Sequence, residues 1–484
     1  MFPKDFKFGF SQAGFQSEMG ITEKDTNSDW YYWANDPFNI NHHIVSGDNP
    51  ADGAGYWDLY KTDHRIAQSL NMNAARIGIE WSRIFPTSTE KIEVNSIIEN
   101  GNVIKINISK ESIEELFNIC DKRAIEHYRE IFQDLKKRGF FVIINLFHWS
   151  LPLWINDPRE RVPHEGNKLG NCFNQKTVIE FTKYAALIAD QFSDLADKYC
   201  TMNEPNEVFK SCSEDKSISA FRARMKYFIE AHARAYDVIK AISNKPVGLI
   251  YSNGDVQSFD NQDIEIKTVV EFEQRYSFFD ALTKGDMSWY VADCKTKGLE
   301  SGPSKRGDLE NRMDWLGVNY YSRNVVMRNE NGYESVKGLG YDAGLISRDK
   351  SLDGRSVTET GWEIYPIGIY NLLMSYYRRY GLPMIVTENG LADKNDIFRS
   401  RYLVSHLHYV EKAISEGANI EGYLHWSLCD NFEWGSGFSK KFGLVMVDYN
   451  TKKRYLRPSA LVFREIAKNN EIPEQLEWLN QDKF

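Results

Sequence analysis

The chain has 484 residues, of which 42% are hydrophobic and 26% charged, globular proportions that exclude a disordered chain. Lys and Arg number 59 against 68 for Asp and Glu, a net charge of −9 with no basic block; nucleic acid and anionic membranes are therefore poor partners. Dividing the length by about 150 residues allows three domains, but no Gly/Ser-rich or Pro-rich linker divides the chain, and α/β barrels reach this size as one unit.

The N-terminus, Met1-Phe-Pro-Lys-Asp-Phe-Lys-Phe8, puts Pro and charges where a signal peptide needs an apolar core. No run of 18 apolar residues occurs, so no membrane-spanning helix is expected. The six cysteines, at 120, 172, 200, 212, 294 and 429, lack CxxC spacing and read as reduced thiols. The cytoplasm is the expected compartment.

Short apolar runs then alternate with helical stretches. The runs are Phe6–Phe10, Ala74–Glu80, Phe140–Phe147, Tyr199–Asn203, Val247–Ser252, Trp315–Tyr321, Met384–Glu388 and Gly422–Leu428. Between them, His127–Arg138 is closed by Gly139, and Val178–Lys198 carries apolar residues at helical spacing. Eight such βα units predict an α/β fold, a single (β/α)8 TIM barrel over residues 1–484 with loop insertions. Residues from about 87 to 121 break the rhythm with alternating runs around Asn100-Gly101, a hairpin signal read as a loop insertion after strand 2. A last helix is expected over about Ser459–Lys468.

In such a barrel the strand ends build the site. Here they carry Arg76, Glu80-Trp81, His148-Trp149, Asn203-Glu204, Asn319, Tyr321, Glu388-Asn389 and Trp426, with Glu433-Trp434 in the next loop. Indole faces with amides and carboxylates suit a sugar, which presents C–H faces and hydroxyls. Glycoside hydrolysis needs one carboxylic acid for the leaving oxygen and one carboxylate on the other side of the anomeric carbon. Glu204 and Glu388, on strands four and seven, can face each other in those roles. Trp81 and Trp149 fit barrel core and sugar contact equally. His127 and His232 read as surface or packing residues, and no His pair with Glu has metal-ligand spacing.

Motifs along the chain resemble those of glycoside hydrolase family 1 β-glycosidases, particularly their archaeal β-glucosidase/β-galactosidase branch. They are Phe8-Gly-Phe-Ser-Gln-Ala-Gly-Phe-Gln-Ser-Glu18, Arg76-Ile-Gly-Ile-Glu-Trp-Ser-Arg-Ile-Phe-Pro86, Phe147-His-Trp149, Thr201-Met-Asn-Glu-Pro205, Gly317-Val-Asn-Tyr-Tyr321, Val386-Thr-Glu-Asn-Gly390 and Trp426-Ser-Leu-Cys-Asp-Asn-Phe-Glu-Trp434. The resemblance implies a retaining exo-β-glycosidase acting on terminal β-D-glucosides and β-D-galactosides through a covalent intermediate, with no metal or organic cofactor. It makes Glu388 the nucleophile and Glu204 the acid/base, with Arg76 and Tyr321 contacting the nucleophile. Gln16, His148, Asn203, Glu433 and Trp434 match sugar-holding positions, Trp426 the platform beneath the sugar, and Trp362 the aglycone side. Trp149, Asn319 and Phe442 complete the expected substrate-binding set.

The chain departs from the family pattern in two places. The segment after Pro205 lacks the usual Gly/Pro-rich stretch, which bears on leaving-group preference. Lys440 matches the phospho-sugar branch, but Glu433 and Phe442 stand where that branch has Ser and Tyr; a carboxylate there would repel phosphate, so a neutral hexose is expected. Partners are then small β-linked glycosides or oligosaccharides, and a homo-tetramer is expected by analogy with archaeal relatives. A β-mannosidase or β-fucosidase, or a non-catalytic carbohydrate-binding barrel, is the alternative.

Overall fold

In the computed structural model, the eight apolar runs become eight barrel strands. They are β1 (Lys7–Gln12), β2 (Ala74–Gly78), β3 (Phe141–Asn145), β4 (Lys198–Asn203), β5 (Val247–Ser258), β6 (Trp315–Asn329), β7 (Met384–Asn389) and β8 (Ile420–His425). The structure describes residues 1–160, 173–211, 218–260, 264–293, 298–302, 304–330 and 332–484. Each strand pairs in parallel with its sequence neighbour, and β8 returns to β1 with Lys7 opposite Gly422, which closes the barrel. Eight parallel strands in a closed ring, with helices outside, make a (β/α)8 fold.

The runs lack polar alternation because both strand faces are buried. In β3, Ile143 points into the barrel interior with Cys200, Ile250, Trp315, Ile385 and Leu424, while Val142 and Ile144 join the layer under the helices. Trp315 fills the interior, and its indole donates to the Tyr199 carbonyl at 3.1 Å. A Cβ on Gly248 would lie 2.6 Å from that indole, so this strand position admits glycine.

The helix that leads into β3, α1 (Lys122–Lys137), shows how the outer layer is specified. Asp121 caps it, accepting from the backbone N–H of Arg123 at 2.9 Å, a contact worth about 1 kcal/mol. Ile125, Tyr128, Phe132 and Leu135 recur at helical spacing and are buried, each large apolar side chain contributing roughly 1.5–3 kcal/mol. Gly139, at φ 83°, lets the chain leave the helix.

Several boundaries differ from the sequence expectation. The stretch read as Val178–Lys198 is the helix Gln175–Phe192, and Lys198 opens β4. Asp197 separates them: its carboxylate accepts from the Val142 N–H at 2.7 Å and pins the start of β4 beside β3. The apolar runs continue to Glu80, Phe147 and Leu428, where the chain has already left the sheet. Conversely, β5 and β6 continue beyond Ser252 and Tyr321 as a paired arm, with Arg323 opposite Asp255 and Val326 opposite Ser258. After β2, residues Asn95–Glu99 and Asn102–Asn107 form a hairpin. Asn100 and Gly101 turn it with φ of 50° and 75°, as a tight two-residue loop requires. The helix Lys110–Ile119 completes that segment, and Pro458–Asn469 is the last helix.

Cys120, Cys200 and Cys429 are free thiols; Cys172, Cys212 and Cys294 lie outside the described residues, as do residues 212–217 of the segment after Pro205. Among the described residues no helix is long and apolar enough to cross a membrane.

Candidate active site

The strand ends bring the candidates into one connected set. Arg76, in the fully buried β2, donates from Nη2 to Oε1 of Glu388 at 2.6 Å and from Nη1 to Oδ1 of Asn203 at 2.5 Å. Tyr321 donates its phenol to the other oxygen of Glu388, also at 2.6 Å. Both oxygens of that carboxylate are therefore held, and its orientation is set by two strands other than its own. Burial and the charge of Glu388 keep the Tyr321 hydroxyl well above the usual phenol range, so it remains a donor.

Glu204 follows the last residue of β4 and meets a different environment. Asn319 donates to its Oε1 at 2.8 Å, and Thr387 orients that amide by donating to Asn319 Oδ1 at 2.8 Å. Burial, then the negative charge of Glu388, push the Glu204 carboxyl well above the ordinary carboxylate range. One carboxylate is clamped by a cation and a phenol while its neighbour is driven toward the neutral form. This division separates a nucleophile from a general acid.

Around this pair lie the sugar-type groups. His148 sits 3.1 Å from Asn203 Nδ2 through Nε2, and burial with the nearby Arg76 charge holds its imidazole well below the ordinary range. The neutral ring accepts at Nε2, which leaves the proton on Nδ1, an assignment made from the hydrogen-bond network. Gln16 donates to the Phe432 carbonyl at 2.9 Å and lies 3.3 Å from Glu433 Oε2. Glu433 is half-buried. Burial of its carboxyl and the charge of Glu388 push it up to about 8, against hydrogen bonds from Gln16 and Trp426. It can thus donate as well as accept near neutrality.

The aromatic candidates pack on one another around the mouth. Trp149 stacks on Trp434 at 4.7 Å, and the His148 ring lies 5.7 Å from Trp426 and 5.9 Å from Trp434. Tyr321 packs against Trp362 at 5.3 Å and Phe442 at 6.2 Å, in one cluster with Trp426. Trp149, Glu204 and Trp434 have φ of 74°, 48° and 46°. A left-handed backbone at a non-glycine residue costs of order 1–3 kcal/mol and gathers at functional sites. For Glu204 the following Pro205 already disfavours the right-handed helical region. Gly390 lets the end of β7 approach the Trp426 segment, since a Cβ there would fall 1.9 Å from the Trp426 carbonyl oxygen.

Among the described residues, four buried polar atoms of the site residues have no hydrogen-bond partner: Gln16 Oε1, Arg76 Nε, His148 Nδ1 and Trp149 Nε1. Unsatisfied buried polar groups in a native fold call for an explanation, and a polar ligand supplies one. One acceptor and three donors beside indole faces match a polyhydroxylated ring.

Trp81 resolves as core: it is buried and stacks on Tyr184 at 5.2 Å. His127 stacks on Trp57 at 4.1 Å, and buried His232 bonds Thr201, so both serve packing. Glu80 supports the site from below. Its carboxylate accepts from the Phe15 N–H at 2.8 Å and from Ser150, tying together the segments that carry Gln16 and His148. Thr387 escaped the sequence reading, since nothing in the sequence pairs it with Asn319. Glu207 and Asp342 escaped it too; with Trp149, Tyr321, Tyr341 and Trp362 they line a cleft of about 430 Å³ that opens beside Glu204.

Comparison with known proteins gives this geometry its family. The model of glycosyl hydrolase family 1 matches residues 1–100 and 115–472. A β-galactosidase of Saccharolobus solfataricus is 46% identical over 489 residues, covering 99% of this chain and 97% of its own. β-Glucosidase A of Thermotoga maritima is 26% identical, with 98% and 99% coverage. The crystal structure of the β-glycosidase from Thermosphaera aggregans superposes with a TM-score of 0.92 at 42% identity and full coverage of both chains. The chain belongs to glycosyl hydrolase family 1, and the protein is a retaining β-glycosidase.

Proposed function

We propose that the enzyme removes terminal β-D-glucosyl and β-D-galactosyl residues, with Glu388 as nucleophile and Glu204 as acid/base. Glu388 attacks the anomeric carbon as Glu204 gives its proton to the leaving oxygen and the glycosidic C–O bond breaks. The product is a glycosyl ester on Glu388, and the charge that raised Glu204 is gone. Glu204 can then ionise, take a proton from water and direct its oxygen to the anomeric carbon, releasing a β-configured sugar and free Glu388. Gln16, His148, Asn203, Glu433 and Trp434 hold the sugar hydroxyls over Trp426, with Trp149, Asn319 and Phe442 beside them and Trp362 on the leaving-group side. The observation that carries this reading is the unequal setting of the two carboxyls: Glu388 held by Arg76 and Tyr321, Glu204 raised by burial and by Glu388.

The glucoside and galactoside preference rests on the names of the relatives, a β-galactosidase and a β-glucosidase. We further propose that the chain is one catalytic domain with residues 87–121 as an insertion, and that it works in the cytoplasm as a homo-oligomer. One similar structure, 42% identical, is described as derived from a tetrameric β-glucosidase, which supports a tetramer.

The test is the stereochemistry of turnover. Proton NMR of early product from nitrophenyl β-glucoside should show the β-anomer first, with the α-anomer rising later by mutarotation. A panel of nitrophenyl glycosides should rank β-glucoside and β-galactoside above β-mannoside and β-fucoside. A first-formed α-anomer would contradict the assigned roles.

A further inference from the structure

The cleft beside Glu204 changes character along its walls. Next to the carboxyls it is aromatic, with Trp149, Tyr321 and Trp362; beyond the barrel rim, the β5–β6 arm adds Gly254 and Asn324. Most polar groups on that outer wall are already paired. Asn324 donates to Gln274 at 3.2 Å and accepts from Ser335 at 3.1 Å. Arg275 donates to the Gly254 carbonyl at 2.9 Å and to Ser375 at 3.1 Å, and lies 3.6 Å from Glu271.

Two of the exceptions are an acid and an aliphatic hydroxyl. The half-buried carboxylate of Asp342 and the hydroxyl of Ser252 have no hydrogen-bond or ion-pair partner among the described residues. Asp342 stands on a rigid support, the tight turn Gly340–Leu345. The Gly340 N–H donates to Glu363 at 2.9 Å, and Arg323 clamps that carboxylate at 2.7 and 2.9 Å. The Asp342 carbonyl accepts from the Gly338 N–H at 2.9 Å. The backbone that carries Asp342 at the cleft is thus already ordered, which lowers the cost of engaging a ligand there.

We infer that Asp342, with Ser252, recognises the hydroxyls of the leaving group, so that the preferred substrate is a β-linked disaccharide and not an alkyl or aryl glycoside. This deepens the glycosidase reading and rests on it. A carboxylate is an acceptor alone, and a second pyranose offers it hydroxyl donors while its C–H faces lie against Trp362 and Trp149. An apolar leaving group offers no donor and would strip water from Asp342 without replacing it, a desolvation cost that works against that substrate. Discrimination therefore has an attractive and a repulsive part.

The experiment compares kcat/KM for cellobiose and cyclohexyl β-glucoside. Both leaving groups are unactivated and both need the proton of Glu204, so their ratio isolates hydroxyl recognition. The wild type should favour cellobiose. Asp342→Ala should lower the cellobiose-to-cyclohexyl ratio about tenfold, the effect of losing one hydrogen bond to a charged acceptor. Asp342→Asn, whose amide oxygen still accepts, should keep the ratio within about threefold of wild type, and Ser252→Ala should lower it by about threefold. A ratio unchanged in Asp342→Ala, or a wild type that prefers the cyclohexyl glucoside, would overturn the inference. A wild type that fails even on nitrophenyl β-glucoside would overturn the glycosidase reading beneath it, a result the other two do not produce.

Discussion

Glu388→Gly should lose hydrolysis of nitrophenyl β-glucoside by at least about 10⁴-fold, the scale of removing a covalent nucleophile. The cause is not limited to the missing attack. Arg76 is fully buried and Glu388 is its counter-ion at 2.6 Å; stranding a buried charge costs roughly 3–5 kcal/mol of stability. Added azide or formate should therefore act twice. The anion fits the space left by the carboxylate, restores a negative charge beside Arg76, and attacks the anomeric carbon from the face that Glu388 used. One displacement without a second gives the inverted product, an α-glycosyl azide. Glu388→Gln keeps the volume and controls for the lost packing; it should be folded and inactive. Near wild-type activity in Glu388→Gly without an added anion would remove Glu388 from the mechanism.

The second large effect belongs to Glu204, and its size depends on the leaving group. A poor leaving group must be protonated as it departs, and a good one need not be. Glu204→Ala should slow disaccharide cleavage by about 10²–10⁴-fold. Dinitrophenyl glucoside should still form the glycosyl-enzyme rapidly, giving a burst followed by slow release, because the base for water is also gone. Azide should accelerate that second step and yield a β-glycosyl azide, the stereochemical opposite of the rescue at position 388. The pH dependence follows from the raised Glu204 carboxyl. The acid is protonated below its pKa, so the wild-type rate falls as pH rises through that value, and this basic limb should flatten in Glu204→Ala. Equal losses on activated and unactivated substrates, with no azide product, would assign Glu204 to positioning alone.

Much of this site was legible because its residues sit at the ends of apolar runs. Asn203-Glu204 and Glu388-Asn389 each close a run buried on both faces, and two Glu-Asn pairs at the ends of different strands are hard to read as strand caps alone. Arg76 was legible as a charge inside such a run. Run ends were less readable, since a strand stops where hydrogen bonding stops, and apolar residues such as Phe147 and Leu428 continue past that point into packed loops. The helix expected to reach Lys198 stops at Phe192, and a long-range contact of Asp197 to β3 instead pins the start of β4. Thr387, Glu207 and Asp342 were missed for a related cause. Thr387 matters through Asn319, 68 positions away, and Asp342 through a cleft wall built by a turn held on Glu363; neither has a period or spacing to announce it. The left-handed backbone at Trp149, Glu204 and Trp434 was equally silent, because no glycine marks it.

The central claim is that Glu388 becomes covalently bound to the sugar, and trapping that ester tests it most directly. A 2-deoxy-2-fluoro-β-glucosyl fluoride should inactivate the enzyme, since the fluorine slows both steps while the good leaving group still allows the first. Mass spectrometry of the intact protein should show one added fluoroglucosyl group, and digestion should place it on the peptide containing Thr387-Glu388-Asn389. A label on any other residue, or inhibition with no mass added, would contradict the account.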